Sequence, residues 1–140
     1  MQNSKIYFYE FIGIIPSDKP EYMLKNNGNP EFQDQNNSIH PGVLVTLTEA
    51  TAREYLQITF PEYTNNLNPI LQKLTVQFKR AVKSTIYSKA DVSKEKKEKL
   101  LFELDEKGRS TIEVNVELFD AEHFRIMSAV LEWYIILENK

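Results

Sequence analysis

His40 and His123 are the two histidines of this 140-residue sequence, the side chains whose ordinary ionisation lies closest to neutral pH. His40 stands in Ile39-His40-Pro41-Gly42, and His123 directly follows Glu122. A histidine paired with a carboxylate can act as a general base, so a small enzyme built on His40 or His123 is one reading. Neither occurs in an HxH or HExxH spacing, so no metal site is expected. Glu10, between Tyr9 and Phe11, is the carboxylate set in the most apolar surroundings. It reads either as a buried general acid or as a solvent-facing strand residue paired with Arg125. The sequence has no cysteine, which removes disulfides, thiolate metal sites and cysteine nucleophiles together. Its four glycines form no phosphate-binding loop, dinucleotide fingerprint or nucleophile elbow. On these grounds no catalytic residue, cofactor or metal is assigned.

Charge offers a second lead. The net charge is −3, but residues 1–72, 73–99 and 100–140 carry −4, +6 and −5 in turn. A helix is expected over residues 69–87, with Leu71, Leu74, Phe78, Val82 and Ile86 turned inward at spacings of three and four. Its opposite face would then present Lys73, Val76, Arg80, Lys83 and Tyr87 as a basic stripe. Cations there could neutralise phosphates and the tyrosine could stack on a base. The acidic chain as a whole, with Glu95 and Glu98 among the lysines, favours a solvated face or an acidic protein partner over nucleic acid.

The elements that would position these groups come next. Residues 5–15 are rich in aromatic and β-branched side chains and read as a covered strand, bent at Gly13. Residues 17–41 read as a long polar loop and 43–47 as a short strand. Thr48 looks like the cap of a helix ending at Pro61. Ser93 opens a charged helix. Residues 100–105 either continue it to a cap at Gly108 or form a strand entering a hairpin there, and the hairpin is preferred. Strict alternation over 111–118 predicts a half-buried strand. Residues 120–138 read as a long core helix capped by Asp120, apolar nearly all round, with Ile126, Trp133 and Leu137 left over for a protein interface or a symmetric homodimer.

The resulting expectation is an α+β chain forming a single domain: a mostly antiparallel sheet of about four strands packed by three to four helices. No signal sequence or apolar run of membrane-spanning length is present, so a cytoplasmic protein without membrane contact is expected. The expected function is a small non-catalytic binding module, an inhibitor, immunity-type or assembly and accessory protein, of the kind encoded by phage or mobile elements. Nucleic-acid binding through residues 73–99 is the alternative, followed by the histidine enzyme.

Overall fold

The longest helix among the described residues is α2, Pro41–Thr59. The structure is a computed structural model and describes residues 6–63 and 65–138. His40 caps α2 by accepting the Gly42 amide on Nδ1 at 2.8 Å, and Pro41 occupies the first turn, where a missing N–H costs nothing. Thr48 lies within the helix, its hydroxyl bonded to the Leu44 carbonyl at 2.9 Å, and residues 43–47 form the first turns of α2 rather than a strand. One stripe of the helix, through Leu44, Leu47, Thr51 and Leu56, is fully buried.

That stripe packs on a six-stranded, wholly antiparallel sheet, ordered β1-β2-β4-β5-β6-β3. The strands are β1 (Ile14–Pro16), β2 (Leu24–Asn26), β3 (Leu67–Phe78), β4 (Ile86–Asp91), β5 (Arg109–Asp120) and β6 (Arg125–Leu137). The inner face supplies Leu24, Ile86, Val114, Val116, Leu131 and Trp133, all at most 1% exposed. Ala50 and Ala52 keep that part of α2 slim, and the Thr51 and Ser88 hydroxyls meet within the core at 2.6 Å. Two shorter helices complete the fold: α1 (Tyr7–Ile12) and α3 (Lys94–Lys107).

The mixed, antiparallel character agrees with the sequence; the strand number and the C-terminal helix do not. Residues 125–137 form β6, a strand paired on both sides, by β5 and by β3. Met127, Ala129, Leu131, Trp133 and Ile135 form the buried set, while the alternate set from Ser128 to Ile136 is half-buried and Ile126 fully so. A run apolar on both alternating sets looks the same as a helix apolar all round, and the β-branched and aromatic content decides for the strand. Asp120 does cap a turn, but a hairpin turn: its Oδ1 accepts the Glu122 and Phe124 amides at 2.9 and 3.0 Å.

The expected helix over 69–87 is replaced by β3, an irregular connection and β4. A bulge between Leu71 and Lys73 shifts the alternation by one residue. Leu67, Pro69 and Leu71 before it, and Leu74 and Val76 after it, therefore take the more buried positions, and the three-residue step across the bulge imitates a helical repeat. The expected strand over 5–15 is instead α1, ended by Gly13 in the left-handed region at φ +84°, followed by the three-residue β1. Residues 100–105 belong to α3, which starts at Ser93 and ends at Gly108, also left-handed. The strand expected over 111–118 is β5, with inward Ile112, Val114, Val116 and Leu118.

Candidate active site

The second stripe of α2 holds the concentrated chemistry of the molecule. Gly42, Val45, Thr46, Glu49 and Arg53 recur at steps of three and four and share one half-exposed face, away from the sheet. Glu49 is anchored from two directions. Arg53, one turn on, gives Nε and Nη2 to Glu49 Oε2 at 2.9 and 2.7 Å. Tyr9, from α1, donates its hydroxyl to the other oxygen, Oε1. Arg53 is itself held, with Nη1 3.5 Å from the Pro69 carbonyl of β3 and the guanidinium 5.1 Å from the Trp133 ring centre.

This arrangement fixes protonation states. Burial is the largest influence on Tyr9 and pushes the phenol well above its ordinary range. The hydrogen bond and negative charge of Glu49 push the same way, so Tyr9 remains a donor at neutral pH. Burial opposes charge on Arg53, but hydrogen bonding and attraction to Glu49 outweigh it and raise its pKa. A carboxylate gripped at one oxygen by a guanidinium and touched at the other by a phenol is a polar cluster set in an apolar wall.

An open groove of about 620 Å³ lies along the first turns of α2, reaching Val45 and Thr46 one turn before Glu49; Tyr9, Glu49 and Arg53 do not themselves line it. Phe8, Phe11 and Ile12 of α1 form one side, Val43 and Val45 of α2 another, and Phe32 closes an end. The Phe11 and Phe32 rings meet edge to face at 5.4 Å. Pockets of about 300–1,000 Å³ with an apolar lining and few polar groups are the usual form of a small-molecule site. Among the described residues no group of three or more His, Asp or Glu could hold a metal ion.

The residues singled out from the sequence lie elsewhere or act otherwise. His40 borders the groove, but its Nδ1 is committed to capping α2. His123 sits in the β5–β6 turn at φ +71°, with Nδ1 2.8 Å from the Tyr22 hydroxyl. Among the described residues neither histidine makes an ion pair with a carboxylate. Glu10 is exposed on α1, and Arg125 pairs with Glu117 at 2.7 Å instead. The basic stripe has no helix to unite it: Lys73 and Val76 are on β3, Arg80 and Lys83 on the connection, and Tyr87 is buried in β4. Ile126 and Trp133 are fully buried within the chain, and Leu137 is partly so. Glu49 and Tyr9 escaped the sequence reading because a strand was assigned to one and the wrong helical register to the other. The available signal was Glu49 and Arg53 at i and i+4 on one helix.

No known family profile matches the chain, and no curated protein matches it either. Solved structures do. A Pseudomonas aeruginosa protein called a probable thioesterase superposes with a TM-score of 0.72 at 21% identity, over 96% of this chain and 90% of that one. An esterase-named protein from Mycobacterium tuberculosis gives 0.73 at 14%, over 96% and 99%. A Bacillus halodurans protein solved with CoA gives 0.70 at 10%, over 96% and 79%. At these identities the likeness is one of fold, the hotdog-like arrangement of a sheet curled around a helix. It overturns the expected non-catalytic binding module, together with the inhibitor, phage and accessory-protein associations, because the neighbours carry thioesterase and esterase names. Among the described residues no helix is long and apolar enough to cross a membrane.

Proposed function

We propose that this protein hydrolyses acyl thioesters of a CoA-type carrier, with Glu49 as the catalytic carboxylate. One observation carries the reading: Glu49 is pinned by Tyr9 and Arg53 one helical turn beyond a largely apolar groove, in a fold shared with proteins named as thioesterases. In the proposed step a water gives a proton to Glu49 Oε1 while its oxygen attacks the thioester carbonyl carbon. The Tyr9 hydroxyl swings from Oε1 to the carbonyl oxygen and stabilises the negative charge that develops there. Collapse of the tetrahedral intermediate breaks the carbon–sulfur bond, and the proton on Glu49 passes to the departing thiolate. The products are a carboxylic acid and a thiol. Arg53, holding Oε2, keeps Oε1 directed at the water.

The carrier's phosphates need cations, and Lys79 and Arg80 share a second cleft with Pro41 and Leu44 at the start of α2. This gives Arg80 a role separate from the nucleic-acid reading. The test is release of free thiol from a series of acyl-CoA esters, in wild type and in Glu49→Gln, which keeps the shape and removes the base. The reading requires turnover in wild type and its loss in the variant. Equal rates in both, or no turnover of any thioester, would overturn it.

A further inference from the structure

We infer that the groove between α1 and α2 selects a long, uncharged acyl chain, with Phe11 and Phe32 setting the preference; this rests on the thioesterase reading above. Size is the first argument. A cavity of about 150 Å³ suffices for a single benzene ring, whereas the groove here measures about 620 Å³. An acetyl group would leave nearly all of it filled with water.

Polarity is the second. The apolar Phe8, Phe11, Ile12, Phe32, Val43 and Val45 make up most of the wall, and of the polar Glu31, Gln33, His40 and Thr46 the last two are partly engaged by backbone. His40 Nδ1 accepts the Gly42 amide at 2.8 Å, and the Thr46 hydroxyl donates to the Gly42 carbonyl at 2.8 Å. Thr46 therefore has no hydroxyl proton to spare for a ligand. No lysine or arginine lines the groove, so neither a phosphate nor a carboxylate-bearing acyl group would find a counter-ion. The cations lie in the other cleft, with Lys79 and Arg80. The carrier and acyl ends of a thioester thus have chemically different places to go.

The third argument is the surface that α1 leaves open. Phe8 and Phe11 are 56% and 71% exposed although they stand beside a buried core, and a bound chain would cover both. Phe11 meets Phe32 across the groove, so removing the Phe11 ring opens that wall without touching Tyr9, Glu49 or Arg53.

The experiment measures kcat/KM for acetyl-, hexanoyl- and decanoyl-CoA in wild type and in Phe11→Ala, beside calorimetric titration with decanoic acid. Each methylene buried is worth roughly fourfold, so wild type should prefer decanoyl- to acetyl-CoA by well over 100-fold. Phe11→Ala should lose at least tenfold on decanoyl-CoA, through KM, and narrow the decanoyl-to-acetyl ratio of kcat/KM by about tenfold. Hydrolysis with no chain-length preference, or a preference untouched by Phe11→Ala, overturns the acyl assignment and leaves the thioesterase reading standing. If no ester is cleaved, the thioesterase reading fails, and the titration decides the groove: decanoic acid binding that Phe11→Ala weakens supports an apolar-chain site, and no binding overturns it. Sedimentation provides a further check. A wild-type dimer that Phe11→Ala converts to monomer, with selectivity unaltered, would assign the groove to a second copy of the chain and overturn the proposal.

Discussion

Two tyrosines, Tyr9 and Tyr22, each have a hydroxyl on an ionisable partner, and the two sites differ in what surrounds them. Tyr9 reaches Glu49 beside an open groove. Tyr22 lies 2.8 Å from His123 Nδ1, but its ring is packed against Tyr87 at 5.1 Å, Phe119 at 5.3 Å and His123 itself at 5.9 Å. Lys19 covers Tyr87 from outside at 4.6 Å. The Tyr22 cluster is filled by its own side chains and joins the β1–β2 connection to the β5–β6 turn. Reactive residue types are present at both places, but of the two pairs it is Tyr9–Glu49 that has an open groove one turn away along α2.

The sharpest way to break this comparison is to remove the acid–base group from each cluster. Glu49→Gln should lower kcat/KM for a decanoyl thioester by about 10²- to 10⁴-fold, the usual contribution of a positioned general base. His123→Asn, chosen because asparagine tolerates the left-handed backbone at φ +71°, should leave turnover within about twofold. A large loss in His123→Asn would return the histidine to the chemistry and dissolve the distinction.

Arg53 comes next in expected effect. Substitution by methionine removes two charge-assisted hydrogen bonds from Glu49 Oε2 and should destabilise the protein by roughly 1.5–3 kcal/mol. Arg53→Lys keeps the charge and loses the fork. If Arg53 acts by aiming the carboxylate, Arg53→Lys should recover much of the stability in urea while kcat stays depressed and KM is little changed. Recovery of both together would make Arg53 a structural ion pair only.

These tests centre on a site that was only partly legible in the sequence. The alternation of β5 and the helix start at Ser93 were readable because each is a local pattern with one physical explanation. Gly108 fitted both a helix cap and the preferred hairpin turn, and the cap is what forms. The β3 bulge and the two-faced burial of β6 were not readable, because a bulge and a second layer of cover both erase the period-two signal. The stripe Glu49–Arg53 stayed hidden for a related reason. α2 begins at Pro41, seven residues before Thr48, and His40 supplies an imidazole cap in place of the usual hydroxyl or carboxylate. With the helix expected to start at Thr48, Glu49 and Arg53 were not laid on one face with Gly42, Val45 and Thr46. Tyr9, forty residues away, is brought to it by tertiary packing alone.

The smallest predicted effect concerns stability at high pH. Burial raises the Tyr9 pKa, and the Asp105 carboxylate, through its hydrogen bond, raises Tyr63 to about 12. Tyrosine in an unfolded chain titrates near 10. A group whose folded pKa is the higher one binds more protons in the folded state between the two values. Its contribution is therefore intact below about pH 10 and is lost as the pH rises toward the folded value. Urea midpoints should fall between about pH 10 and 12 in wild type, and the fall should be shallower in Tyr9→Phe. Tyr22, also raised chiefly by burial, sets the scale for comparison. Tyr22→Phe should flatten the alkaline limb less than Tyr9→Phe, because the Tyr9 hydroxyl is bonded to a carboxylate and that of Tyr22 is not. Equal flattening would mean that burial alone distinguishes these phenols from free tyrosine, and that the charge of Glu49 contributes nothing to keeping Tyr9 a donor.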